Sequence, residues 1–133
     1  MGTAQQILLG YGVIVLAYGL LLGIPLAAAR SKAAAASRHL VNAHLSGLIQ
    51  GGVVLGLGGA FGATGFESGL ATVGALLIVA GFAAESIGGT LNWLQSTGDQ
   101  FAERSPGFLV NSLSGLLAVP GVLICVYGIL TGL

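Results

Sequence analysis

The run RHLVNAHLSGLIQGG, residues 38–52, holds both imidazoles of the chain, His39 and His44. On a helix, His44, Gly47, Leu48 and Gly51 share one face. A histidine followed by small residues on that face leaves space for something flat. A haem suits it, because one imidazole ligates the iron and glycines let the macrocycle approach the backbone. The same residues also describe an interfacial histidine bonded to a backbone carbonyl, with the glycines serving helix contact. His39 stands about 140° round the helix from His44, so the two do not readily share one metal. The expected place for His39 is the surface, among headgroups.

Glu85 is the other chemically conspicuous residue, the single carboxylate inside a long apolar stretch. Glu85, Gly88, Gly89 and Asn92 recur at i, i+3, i+4 and i+7, which makes a polar-and-small stripe on one helix face. Polar groups inside a membrane are costly and point to function by default. Such a glutamate is neutral, paired or proton-carrying, or it simply bonds a neighbouring helix. Tyr11 and Tyr18, seven residues apart, and Ser46, Gln50, Asn111, Ser112 and Ser114 add further polar groups, most of them expected to bond between helices. His44, Gln50, Glu85, Asn92, Asn111 and Ser114 all fall toward one end of their stretches. A cavity opening at that end is the simplest common explanation.

The elements that must position these residues are apolar. Of the 133 residues, 55% are hydrophobic and 6% charged, with a mean hydropathy of +0.97. A soluble domain carries roughly 25% charged residues, so this composition predicts one integral membrane domain over 1–133. Four apolar stretches, about 7–29, 40–61, 69–94 and 108–133, each reach the roughly 20 residues that a helix needs to cross hydrocarbon. The expected class is all-α, a bundle of four transmembrane helices. A small β-barrel would need alternating strands, and these runs are continuously apolar. The first stretch is too long for the core of a signal peptide and follows no basic segment. Twenty-four glycines spread through the apolar stretches suit close helix packing, and Pro120 predicts a kink in the fourth helix.

Charge placement predicts orientation. Arg30, Lys32 and Arg38 lie between the first two stretches and Arg104 between the last two, while the other connections carry no basic side chain. The positive-inside rule puts both basic connections in the cytoplasm and both termini outside, in what is expected to be a bacterial inner (plasma) membrane. Trp93 then stands near the inner end of the third helix as an interfacial anchor. Cys125 is alone, so no intrachain disulfide forms. The formal net charge of zero argues against a nucleic-acid partner.

NAHLSGLIQGG on the second helix, ESIGGTLNWL on the third and SPGF before the fourth together resemble the styrene oxide isomerase family, over about residues 38–131. That resemblance implies a homotrimer of four-helix protomers that binds haem b through one histidine of the second helix. It also implies an isomerase acting on a small hydrophobic substrate: ferric iron activates the epoxide oxygen, the ring opens, a hydride shifts and a carbonyl compound forms with no net redox change. His44 matches the axial iron ligand and Gly51 the glycine seven residues beyond, with Gly47 on the same face. The family's asparagine six residues past the histidine is Gln50 here, which keeps an amide but reaches further. A family tyrosine falls near Thr90 and an aspartate near Phe82, across a one-residue gap. Gln50, Thr90, Glu85 and Asn92 are the residues expected to face substrate, with Glu85 a local candidate outside the family pattern.

Three rivals compete. The membrane-associated eicosanoid and glutathione metabolism proteins are also four-helix trimers, and RHLVNAH is superficially similar to their second helix, but four basic residues are too few for glutathione's carboxylates. A small proton-coupled transporter would use Glu85 as its exchanging carboxylate. A non-catalytic haem-bearing subunit of a larger complex would hold its iron from two sides for electron transfer.

Overall fold

The computed structural model describes Met1–Gly132. Its elements are α1 (Thr3–Lys32), α2 (Arg38–Thr64), α3 (Gly69–Leu94), a short α4 (Gln100–Glu103) and α5 (Pro106–Gly132). Four of these helices are long and apolar enough to cross a membrane. They coincide with the four expected spans, each extended by a few residues except α3, whose bounds agree; Leu133, the last residue of the fourth expected span, lies outside the described residues. The short α4 was not foreseen. α5 continues through Pro120 as one helix.

The buried positions explain how the helices pair. On α1 they are Ala4, Leu8, Gly12, Val15, Gly19 and Leu22; on α5, Gly107, Ser114, Ala118, Gly121, Cys125 and Gly128. From Leu8 on α1 and from Ser114 on α5 the steps alternate between four and three, the repeat of a left-handed helix pair. α1 packs chiefly on α2, and α3 chiefly on α5, with lighter contacts between the two pairs. Small residues make both seams close. A Cβ added at Gly47 would lie 2.7 Å from Gly19 Cα, and one added at Gly81 would lie 2.6 Å from Ala118 N. Where lipid replaces water there is little hydrophobic force between helices, so this backbone approach supplies the packing.

Large apolar side chains point the other way. Leu109, Leu116, Leu123 and Leu130 stand seven apart along α5 and are all exposed, as are Val13, Leu20, Leu21 and Ile24 on α1. Such a surface suits hydrocarbon. Inside, one cluster gathers Leu8, Val54, Phe61, Ile78 and Cys125, and a smaller one sets Leu22, Leu40 and Ala43 against Trp93.

The connections are capped locally. The Arg38 guanidinium donates to the Gly98 carbonyl, so the α1–α2 and α3–α5 connections meet at one end. At the other end Gly65 closes α2 with φ of 65°, a left-handed turn that favours glycine, and Ser68 Oγ accepts from Ala71 N at 3.0 Å to start α3. Asp99 caps α4 by accepting from the N–H groups of Phe101 and Ala102. Those two bonds, Ala102's first, hold its carboxyl below the usual carboxylate range, and Arg38 adds to the effect. Ser105 Oγ accepts from Phe108 N at 3.0 Å to open α5.

Candidate functional site

The polar residues expected to share one cavity separate onto three faces of the bundle. The reason is helical: His44 and Ser46 are two residues and about 200° apart, and the two cannot point into one space.

His44 turns toward α1. Its Nδ1 lies 2.7 Å from the Gly19 carbonyl oxygen, and a Cβ at Gly23 would come within 3.3 Å of the ring's Cε1. Glycines at 19 and 23 thus give the imidazole a slot against the α1 backbone. An oxygen acceptor at Nδ1 places the proton there and leaves Nε2 with a lone pair. The ring is half-buried, beside exposed Leu45. The expected use of Gly47 and Gly51 as room for a macrocycle is revised within the protomer: α1 occupies that room, through Gly19 against Gly47 and through Leu16 against Gly51.

An apolar cleft of about 370 Å³ opens between α1 and α3, walled by Ile14, Val15, Ala83, Ile87 and Leu91. Three of its polar residues, Tyr18, Thr90 and Ser86, are bonded to one another, while the buried hydroxyl of Tyr11, also in the cleft, has no partner. The Tyr18 hydroxyl meets Thr90 Oγ1 and reaches the Ser86 carbonyl at 3.2 Å. Thr90 Oγ1 donates to that same carbonyl at 2.8 Å, and Ser86 Oγ donates to Gln50 Oε1 at 3.3 Å. Gln50 and Thr90, named separately from sequence, are therefore joined through Ser86 and Tyr18. Ser86 went unnoticed, although its i, i+4 spacing from Thr90 carried the signal. Tyr18 links this cleft to His44, because its neighbour Gly19 provides the carbonyl that holds the imidazole.

A second, polar cleft of about 260 Å³ lies on the other side of α3, at the end where the basic connections meet. His39, Asn42 and Ser46 of α2 line it together with Glu85 and Gly89 of α3, Gln100 of α4 and Asn111 of α5. Ser46 Oγ donates to Glu85 Oε1 at 3.0 Å, and Ser114 Oγ to Glu85 Oε2 at 3.4 Å. His39 was expected at the surface; it is 6% exposed, on the face of α2 that borders the cleft with Glu85, Gly89 and Gln100.

Asn92 lines neither cleft. It is fully buried, its Nδ2 donates to Gln100 Oε1 at 2.6 Å and its Oδ1 accepts from Ser105 Oγ at 2.6 Å. It ties the end of α3 to the connection that leads into α5. Phe82, at the position of the family's aspartate, packs against the apolar core. Among the described residues no three of His, Cys, Asp or Glu gather to hold a bare ion. A metal held by His44 would therefore arrive with ligands of its own, as a porphyrin iron does.

Comparison with protein-family models, with curated proteins and with solved structures finds no match for the chain.

Proposed function

We propose that the protein is a haem b-binding membrane isomerase that converts a small apolar epoxide to a carbonyl compound, in the manner of the styrene oxide isomerases. The observation that carries this reading is the Nδ1 contact of His44 with the Gly19 carbonyl. Iron-ligating histidines characteristically donate their other ring N–H to such an oxygen, which fixes the tautomer and the ring plane. The donor chemistry fits: His44 Nε2 would hold the iron. His44 lines neither of the two clefts described above, and in the homotrimer that goes with this reading a neighbouring copy would supply the far wall of a haem site.

A ferric haem held there would supply Lewis-acid chemistry to the epoxide oxygen. The chain's own residues do the rest. Ile14, Val15, Ile87 and Leu91 would hold the apolar part of a substrate presented to the His44 of a neighbouring copy, and would exclude water, which would otherwise turn an opened epoxide into a diol. The Tyr18 hydroxyl, whose one proton goes to Thr90 Oγ1 or to the Ser86 carbonyl, would turn that proton to a substrate oxygen on binding. A hydrophobic substrate enters this cleft from the lipid. The orientation that goes with the reading has the basic connections in the cytoplasm and both termini outside.

The test is the visible spectrum of the detergent-purified protein, as isolated and after dithionite. A Soret band with one haem b per protomer, lost in His44→Ala and restored to His44→Gly by added imidazole, supports the reading. Aryl and alkyl epoxides are then assayed for aldehyde. A protein that stays colourless after haem supplementation discards it.

A further inference from the structure

The end of the bundle where the basic connections meet presents charge and apolar surface side by side. Arg30 and Lys32 stand in the last turn of α1, Arg38 opens α2 and Arg104 follows α4. These are all the Lys and Arg of the chain, and all four are exposed. Arg30 directly follows the apolar stretch 7–29, and Arg38 stands two residues before the stretch 40–61, which sets both at headgroup level. Two carboxylates share this end, and each spends an oxygen on its own loop. Asp99 Oδ1 accepts from Phe101 N and Ala102 N, and Glu103 Oε1 from Gly98 N and Asp99 N. Arg38 donates to the Gly98 carbonyl beside Asp99, so it is partly balanced. Arg30 and Lys32 have no carboxylate on α1 or in the connection 33–37. Four cations against two carboxylates leave this end positive.

Apolar side chains stand beside these charges. Leu94 is 65% and Phe101 69% exposed, and the Phe101 ring meets the edge of Phe108 with centroids 5.4 Å apart. Between Arg30 and Arg38 the connection 33–37 carries four alanines and one serine, so no bulky side chain keeps a headgroup from the backbone. Cations at headgroup level and exposed apolar groups beside them complement one kind of molecule, a phosphate joined to acyl chains. A soluble anion would use only the charges. We propose that this end of the bundle selects anionic phospholipid from the leaflet it faces, with Arg30, Lys32 and Arg38 at the phosphates and Phe101 among the first acyl carbons. The attraction is electrostatic, about fivefold in occupancy for each uncompensated cation near a membrane surface. It needs neither haem nor either cleft.

The chain carries its own reporter, because Trp93 is its single tryptophan and packs at this end against Leu22, Leu40 and Ala43. Full-length protein is reconstituted in mixed phosphatidylglycerol and phosphatidylcholine bilayers in which one lipid at a time bears brominated chains, a short-range quencher of indole fluorescence. Dividing by the emission in unbrominated bilayers removes any constant quenching. The expected preference for phosphatidylglycerol is about fivefold. It should fade in about 1 M sodium chloride, where the Debye length is about 3 Å. Arg30→Gln combined with Lys32→Gln should bring it below about twofold at low salt, with an unchanged Trp93 emission maximum showing that the fold is kept. Inorganic phosphate should compete no better than chloride at equal ionic strength. Equal quenching by the two lipids in the wild type, a preference that survives salt, a preference kept in the folded double variant, or stronger competition by phosphate than by chloride overturns the assignment. The wild-type salt series decides the matter even where the variant misfolds.

Discussion

The Tyr18 hydroxyl is the most informative atom after His44 Nδ1. It bonds Thr90 Oγ1 and the Ser86 carbonyl, and the side-chain hydroxyl of the same Ser86 donates to Gln50, at the edge of a mostly apolar cleft. Tyr18→Phe is expected to lower kcat about 100-fold, the scale of a lost proton-donating group, with little change in haem content. Equal turnover in Tyr18→Phe would remove the hydroxyl from the reaction. Gln50→Ala should also spare the haem while altering turnover, because Gln50 acts on the cleft through Ser86. The sequence named Gln50 and Thr90 but not what joins them. Ser86 and Tyr18 belong to different helices, and which faces of α1 and α3 meet is decided by packing that no single segment encodes. Asn92 misled for the opposite reason: a polar residue on a small-residue stripe looks the same whether it faces a ligand or the inside of a loop.

At the level of the helices, the Gly19–Gly47 crossing has two tasks. It sets the separation of α1 and α2, and it brings the Gly19 carbonyl within reach of His44. Gly47→Leu should therefore destabilise the fold by about 1–3 kcal/mol, the usual cost of overpacking, and should also lower haem occupancy at temperatures where the fold persists. Thermal melting and the Soret absorbance per protein measure the two effects. The four long helices were legible because long apolar runs admit little else in a bilayer. The four-residue α4 was not, since its cap depends on Asp99 and on Glu103, whose Oε1 accepts from Gly98 N and Asp99 N. Asp99 has a pKa lowered on folding, so its cap stabilises above the ordinary carboxylate value of about 3.9 and is lost as pH falls through the lower folded value. The difference in melting temperature between wild type and Asp99→Ala should accordingly vanish in that acid range. A difference that persists there would mean that the cap does not act through the charge.

On the scale of the whole molecule, the bundle consists of two tight pairs meeting along a lighter joint, and both clefts lie at that joint. The seams within pairs bring backbones together, whereas the joint is where side chains of unlike character face one another. Buried histidine is the clearest instance of what only the assembled molecule reveals. His39 reads as a headgroup residue on α2 alone and is buried in the folded chain, beside the polar cleft.

That division also bears on how the protein is made. Each pair is formed by helices that follow one another in the chain, so α1 and α2 can lock together as they leave the insertion machinery, before α3 exists. The two halves are then separable pieces of manufacture. A chain cut between Thr64 and Ser68, with both fragments produced in one cell, should reassemble into a particle that co-purifies through a tag on either half. Loss of that reassembly would mean that the turn, and not the pairing, holds the halves in register.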